Sequence, residues 1–141
     1  MLSFSKVRLA VAAAVVVITC AAAGARAETA PDPAAGITRT MLQRYAIPGS
    51  DQEMRMDLIV FPPGAASPLH HHPVAGLNYI LEGTAESAYG DEQPRLYHAG
   101  ESLQDRATVP HTLFRNADQH AVLRFLIFYT VKVGQPYLVV P

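Results

Sequence analysis

Cysteine is almost missing from this chain of 141 residues, occurring once, at Cys20. A single thiol can build neither a disulfide framework nor a thiolate cluster, so any metal site must be made from His, Asp or Glu. An excess of charge of one sign is missing as well: 11 Lys and Arg stand against 12 Asp and Glu. The basic residues are scattered singly, without a patch or stripe, which argues against nucleic acid as a partner. No stretch sustains a helical periodicity, no segment repeats, and no linker divides a second domain. The one long apolar run, Leu9–Ala25, has 17 residues, the short limit for crossing a bilayer.

That run reads as part of a cleavable signal peptide. Lys6 and Arg8 supply a positive start, Leu9–Thr19 is almost wholly apolar, and Ala25-Arg26-Ala27 is an A-x-A cleavage site. Cleavage before Glu28 leaves 114 residues, enough for one small domain. The excised piece takes Cys20 and three basic residues but no acid, so the net charge moves from −1 to −4. An uncleaved anchor, or a lipoprotein using Cys20 behind Val17-Ile18-Thr19, are the alternatives. The expectation is a periplasmic or secreted protein, free of the membrane after cleavage. The division is 1–27 signal peptide, 28–53 lead-in and edge segment, and 54–141 a β-barrel domain.

What the chain does have is many short β-patterned runs separated by Gly/Pro turns. Ile37–Tyr45 suits an edge strand or a short helix. Strands are expected over Met54–Phe61, Leu77–Leu81, Thr84–Tyr89, Arg95–His98, Val109–Arg115 and His120–Val133. This spacing predicts an all-β sandwich or barrel. Leu58-Ile59-Val60 and Leu126-Ile127-Phe128 are apolar on both parities and are expected in central strands buried on two sides. Tyr79, Leu113, Phe125 and Phe128 are expected in the core or the wall of a pocket.

Chemistry concentrates in Pro62–His72. A turn rich in Pro and Gly delivers His70 and His72 at i and i+2, which point to one face of a strand while His71 points to the other. His111 follows Pro110 and opens another apolar strand. Two histidines on one strand and one on another form a half-shell of imidazole nitrogens with open positions for water or substrate.

These residues resemble the motifs of the cupin superfamily. Gly64, His70, His72 and Gly83 fall at the spacing of its first motif, and Gly100 and His111 at that of its second. The family glutamate is absent, its place being held by Gly76, and the nearest carboxylate, Glu82, sits at a turn. Arg106 and Thr108 replace the second motif's proline and glycine, and Asn116 comes one residue late. The resemblance spans about residues 54–131 and implies a single jelly-roll barrel with a divalent metal ion (Fe, Zn, Cu, Ni or Mn) held by His70, His72 and His111. Lacking the glutamate, the site would be a neutral three-histidine shell, leaving the ion its full double charge and favouring anionic ligands. Asn78 shares the strand parity of Gly76 and is a possible pocket residue. Arg106 is a second, as a partner for a substrate carboxylate, and Gln52 and Gln104 could reach the cavity mouth. His98 and His120 lie beside turns and belong on the surface.

The function expected is metal-dependent action on a small organic molecule, oxygenase-like oxidation foremost, with no catalytic acid or base identifiable. A non-catalytic barrel binding a small ligand or a metal is the alternative, and edge-strand pairing into a homodimer a third role. Metal-bound imidazoles must be neutral, so metal affinity should fall below about pH 6.5.

Overall fold

Alternating burial shows why these segments are strands. In the computed structural model, which describes Asp32 and residues 34–141, the last strand buries Leu123, Phe125, Ile127, Tyr129 and Val131 while the residues between them face outward. The expected signal peptide and Cys20 lie outside the described residues. Eight strands are present: β1 (Thr38–Ala46), β2 (Gln52–Phe61), β3 (Gly76–Glu82), β4 (Thr84–Tyr89), β5 (Arg95–His98), β6 (Ser102–Asp105), β7 (His111–Asn116) and β8 (Leu123–Lys132). The described residues contain no helix.

Two antiparallel sheets result, β1-β2-β8-β3-β6 and β5-β4-β7. The arrangement is all-β and consistent with a jelly roll. The ambiguous segment after Ile37 is the edge strand β1, paired with β2 along its length. Residues 102–105, which carried no strand expectation, form β6 on β3. Gly83 closes the β3–β4 turn at φ +82°, and a Cβ there would stand 2.4 Å from the Val122 carbonyl oxygen, so only glycine fits.

The core lies between the sheets, around Ile59, Phe61, Ile80, Phe114, Phe125 and Ile127. β2 and β8 are central in their sheet, as expected, but they are not buried on both sides. Phe128 is 41% exposed and Met54 54%, because no described element covers the outer face of the large sheet. For the same reason Tyr79, expected in the core, lies 45% exposed. Phe125 does sit in the core.

Asn116 locks the loops at one end of the sandwich. Fully buried, it donates through Nδ2 to the carbonyls of Pro62 (3.0 Å) and Ala121 (2.8 Å), and its Oδ1 accepts from Asp118 N (3.0 Å). Truncation would orphan two carbonyls and an amide. We therefore expect Asn116→Ala to lose about 2–4 kcal/mol of stability, read from the midpoint of chemical denaturation. An unchanged midpoint would show that water replaces these bonds.

Candidate metal centre

The segment from Ala65 to His70 runs antiparallel beside β7, and His72 beyond it bridges Ala107. Asn116 N donates to Ala65 O (2.9 Å), Ser67 N to Phe114 O (2.9 Å) and His111 N to His70 O (2.8 Å). This pairing puts His70 directly opposite His111. Alternation then turns His70 and His72 inward, where each is 3% exposed, while His71 is half-buried and exchanges backbone bonds with Val139. One ring nitrogen from each of His70, His72 and His111 lies within 4.8 Å of the other two.

Each imidazole is anchored through its other nitrogen. His70 Nδ1 donates to Pro68 O (2.8 Å) and His72 Nδ1 to Tyr137 O (3.1 Å), while His111 Nε2 is hydrogen-bonded to the Ser87 hydroxyl (2.8 Å). With the anchored nitrogens as donors, the opposite ones keep their lone pairs. His72 Nε2 and His111 Nδ1 are buried and have no hydrogen-bond partner among the described residues. Buried nitrogens without a partner, oriented from behind by a second ring of hydrogen bonds, suit the role of metal ligands. The residues present therefore fit a divalent metal.

Burial also lowers the pKa of all three. For His70 and His72 burial outweighs hydrogen bonds and charges that favour the cation, and His111 falls to about 3, burial again outweighing the attraction of Asp105. Proton competition for the ligands is thus displaced below the 6.5 expected for free histidine.

The shell is not free of carboxylate. Asp105, on β6 and 3% exposed, brings Oδ2 to 3.7 Å from His72 Nε2. Its oxygens accept from Tyr89 Oη (2.9 Å) and Tyr137 Oη (2.7 Å). Burial, with Asp105 next in order, pushes both phenol pKa values well above the ordinary tyrosine range. The expectation of a wholly neutral site is corrected on this point, because β6 delivers an acid that the motif spacing does not reveal. Ser87, Tyr89 and Tyr137 were equally out of reach of the motifs. A buried-polar signal in Ser87 and Asp105 exists only once the strand faces are known.

The histidines open onto a cavity of about 140 Å³ with an apolar wall that includes Ile59, Phe61, Phe125 and Ile127. Asn78 lines it as expected, 2% exposed, with Oδ1 unpartnered among the described residues. Arg106 does not. It is exposed, bonded to Glu92 (2.6 Å), with its guanidinium 5.1 Å from the Tyr89 ring centre, because it follows Asp105 on the opposite strand face. Gln52 and Gln104 are likewise exposed and outside the lining. The cation that does line the cavity is Arg39 on β1, held by Asp57 at 2.6 Å. His98 and His120 are exposed, as expected.

Comparison with known proteins places this geometry in a family. Residues 57–129 match the cupin domain, and the chain belongs to the cupin superfamily. No curated protein matches in sequence. Among solved structures, the DMSP lyase DddQ from Ruegeria pomeroyi superposes with a TM-score of 0.58 at 23% identity, over 73% of this chain and 50% of that one. The polyketide cyclase RemF from Streptomyces resistomycificus gives 0.57 at 22% identity, over 75% and 71%. The Cnp3 cupin domain from Schizosaccharomyces pombe gives 0.54 at 12%, over 68% and 64%. This chain thus spans half the length of the lyase, and at these identities the likeness is one of fold.

The lowered histidine pKa values set a pH dependence for the metal-free protein. Above pH 6.5 these histidines are neutral both folded and unfolded, so they contribute no slope. Below it the unfolded chain takes up protons that the fold refuses, and stability falls as pH drops, by up to about 1.4 kcal/mol per histidine per pH unit. Melting temperatures of the metal-free protein between pH 7.5 and 4.5 should be flat and then decline. A profile that rises on acidification would contradict the burial of these rings.

Proposed function

We propose that this chain is an exported metal-dependent enzyme that acts on a small, largely apolar organic molecule, with oxygenase-like oxidation as its chemistry. The observation that carries the reading is the set of three inward imidazoles, each pinned from behind, at the wall of an apolar cavity. A redox-active divalent ion bound by His70, His72 and His111 would supply open coordination positions at which substrate and dioxygen meet.

The chain's own residues do the rest. Phe61, Phe125 and Ile127 exclude water from the substrate's apolar body. At about 140 Å³ the cavity admits something near the size of benzene, which fits an engineered cavity of about 150 Å³. Asn78 Oδ1 offers a buried acceptor to a substrate N–H or O–H. Arg39 offers positive charge at the wall, tempered by its pairing with Asp57.

A second reading, a non-catalytic barrel that captures a small ligand or metal, draws on one observation. Both oxygens of the cavity's carboxylate, Asp105, are already engaged by tyrosine hydroxyls, leaving no ready general base.

The first test is elemental analysis of residues 28–141, produced in an exporting host without chelator, beside the His72→Ala variant. The proposal expects about one equivalent of a redox-active metal in the parent, little in the variant, and metal-dependent oxygen uptake with small organic substrates in the parent alone. Zinc would redirect the chemistry to Lewis-acid catalysis. A parent that takes up no metal, or a metal-free variant that stays active, would sink the enzyme reading.

A further inference from the structure

The family pattern asks for a carboxylate at residue 76, and this chain has glycine there. β3 and β6 pair antiparallel with Gly76 directly opposite Asp105. Residues opposite each other across a ladder project to the same sheet face. An acid absent from one strand is therefore present on its neighbour, at the same height and facing the same way.

The space explains the exchange. A Cβ on Gly76 would stand 1.8 Å from Tyr137 Oη and 2.8 Å from Cζ. The Tyr137 phenol occupies the volume that a residue-76 side chain would need, and from there it donates to Asp105 Oδ2 at 2.7 Å. Tyr89 fixes the other oxygen at 2.9 Å. The carboxylate is thus buried and held by two hydroxyls from separate parts of the chain.

The orientation of His72 supplies the last element. Its Nδ1 donates to the main-chain carbonyl of Tyr137, so Nε2 presents a lone pair. That lone pair and Asp105 Oδ2 are 3.7 Å apart, too far for a hydrogen bond. Two acceptors held face to face repel one another unless a cation lies between them. Donors that each bind one ion at about 2.0–2.2 Å stand roughly 3–4 Å apart, a separation that His72 Nε2 and Asp105 Oδ2 meet; the group within 4.8 Å of one another is His70, His72 and His111 without Asp105, so binding the same ion requires its carboxylate to move toward the other two rings.

We propose that Asp105 is the fourth protein ligand of this centre, binding the ion through Oδ2 in place of the glutamate that the family pattern puts at residue 76. Tyr89 and Tyr137 are the positioning residues that aim it. The inference rests on the metal-binding reading above but does not depend on the reaction catalysed.

The test uses the mature protein and cobalt(II) as the probe. Asp105→Asn keeps the shape, can still accept from one tyrosine, and removes the charge. Cobalt affinity should fall by more than about 100-fold, beyond the 10- to 100-fold that losing an outer-shell partner costs, and the visible d–d bands should shift in position and intensity as one ligand changes. Asp105→Glu, which restores a carboxylate, should recover part of the affinity. Equal affinity and identical spectra in parent and Asp105→Asn would overturn the assignment while leaving the three-histidine site standing. A parent that binds no cobalt would instead refute the metal reading itself. A zinc-soaked crystal of the parent decides the matter even if the variants misfold: an Oδ2–zinc distance of about 2.0–2.2 Å supports the proposal, and one beyond about 3 Å overturns it.

Discussion

The site depends on a backbone clasp. The segment from Ala65 to His70 has no long β run of its own, yet it zips onto β7 through main-chain bonds from Ala65–Asn116 to His70–His111. Backbone groups entering a core must be paired, and this zipper pairs them. A slip of one residue would send His71 inward and His70 and His72 out. Asn116 secures the far end of the clasp by tying the Pro62 turn to the approach to β8. Precision at the imidazoles is therefore inherited from the sandwich.

A second constraint is volume. Tyr137 touches the centre three times, through its carbonyl to His72, its hydroxyl to Asp105, and its ring 4.6 Å from the His72 ring. Its phenol fills the space beside Gly76, so the glycine and the tyrosine require one another. A buried carboxylate is costly unless hydrogen-bonded, and two tyrosine hydroxyls meet that cost here. Changing any one of Gly76, Asp105 and Tyr137 alone leaves a clash or an unpaired polar group.

The fold and the three histidines were legible in the sequence because both rest on local signals. Alternation and Gly/Pro turns located the strands, and i, i+2 spacing placed His70 and His72 on one face. Asn78 followed from strand parity. Asp105 did not, because β6 is only four residues long and its facing depends on register with β3. Its two hydrogen-bond partners lie 16 and 32 residues away, where no short motif reaches. Arg106 misled for the converse reason: motif position singled it out, while the pleat turns it away from the cavity. Phe128 and Tyr79 misled because apolar composition does not say which face of a sheet is covered.

The tyrosines give the centre an optical voice. The chain has no tryptophan, so its ultraviolet emission comes chiefly from six tyrosines. Two of them flank the imidazoles: the Tyr89 ring lies stacked 4.0 Å from His111, and Tyr137 is sandwiched between His72 and Tyr129. An ion settling among the histidines arrives against a third of the protein's fluorophores. Copper, iron or cobalt, with partly filled d shells, would dim that emission, whereas zinc, with a full one, would not. Occupancy, and something of the metal's character, is thus written into the natural fluorescence of the unlabelled chain.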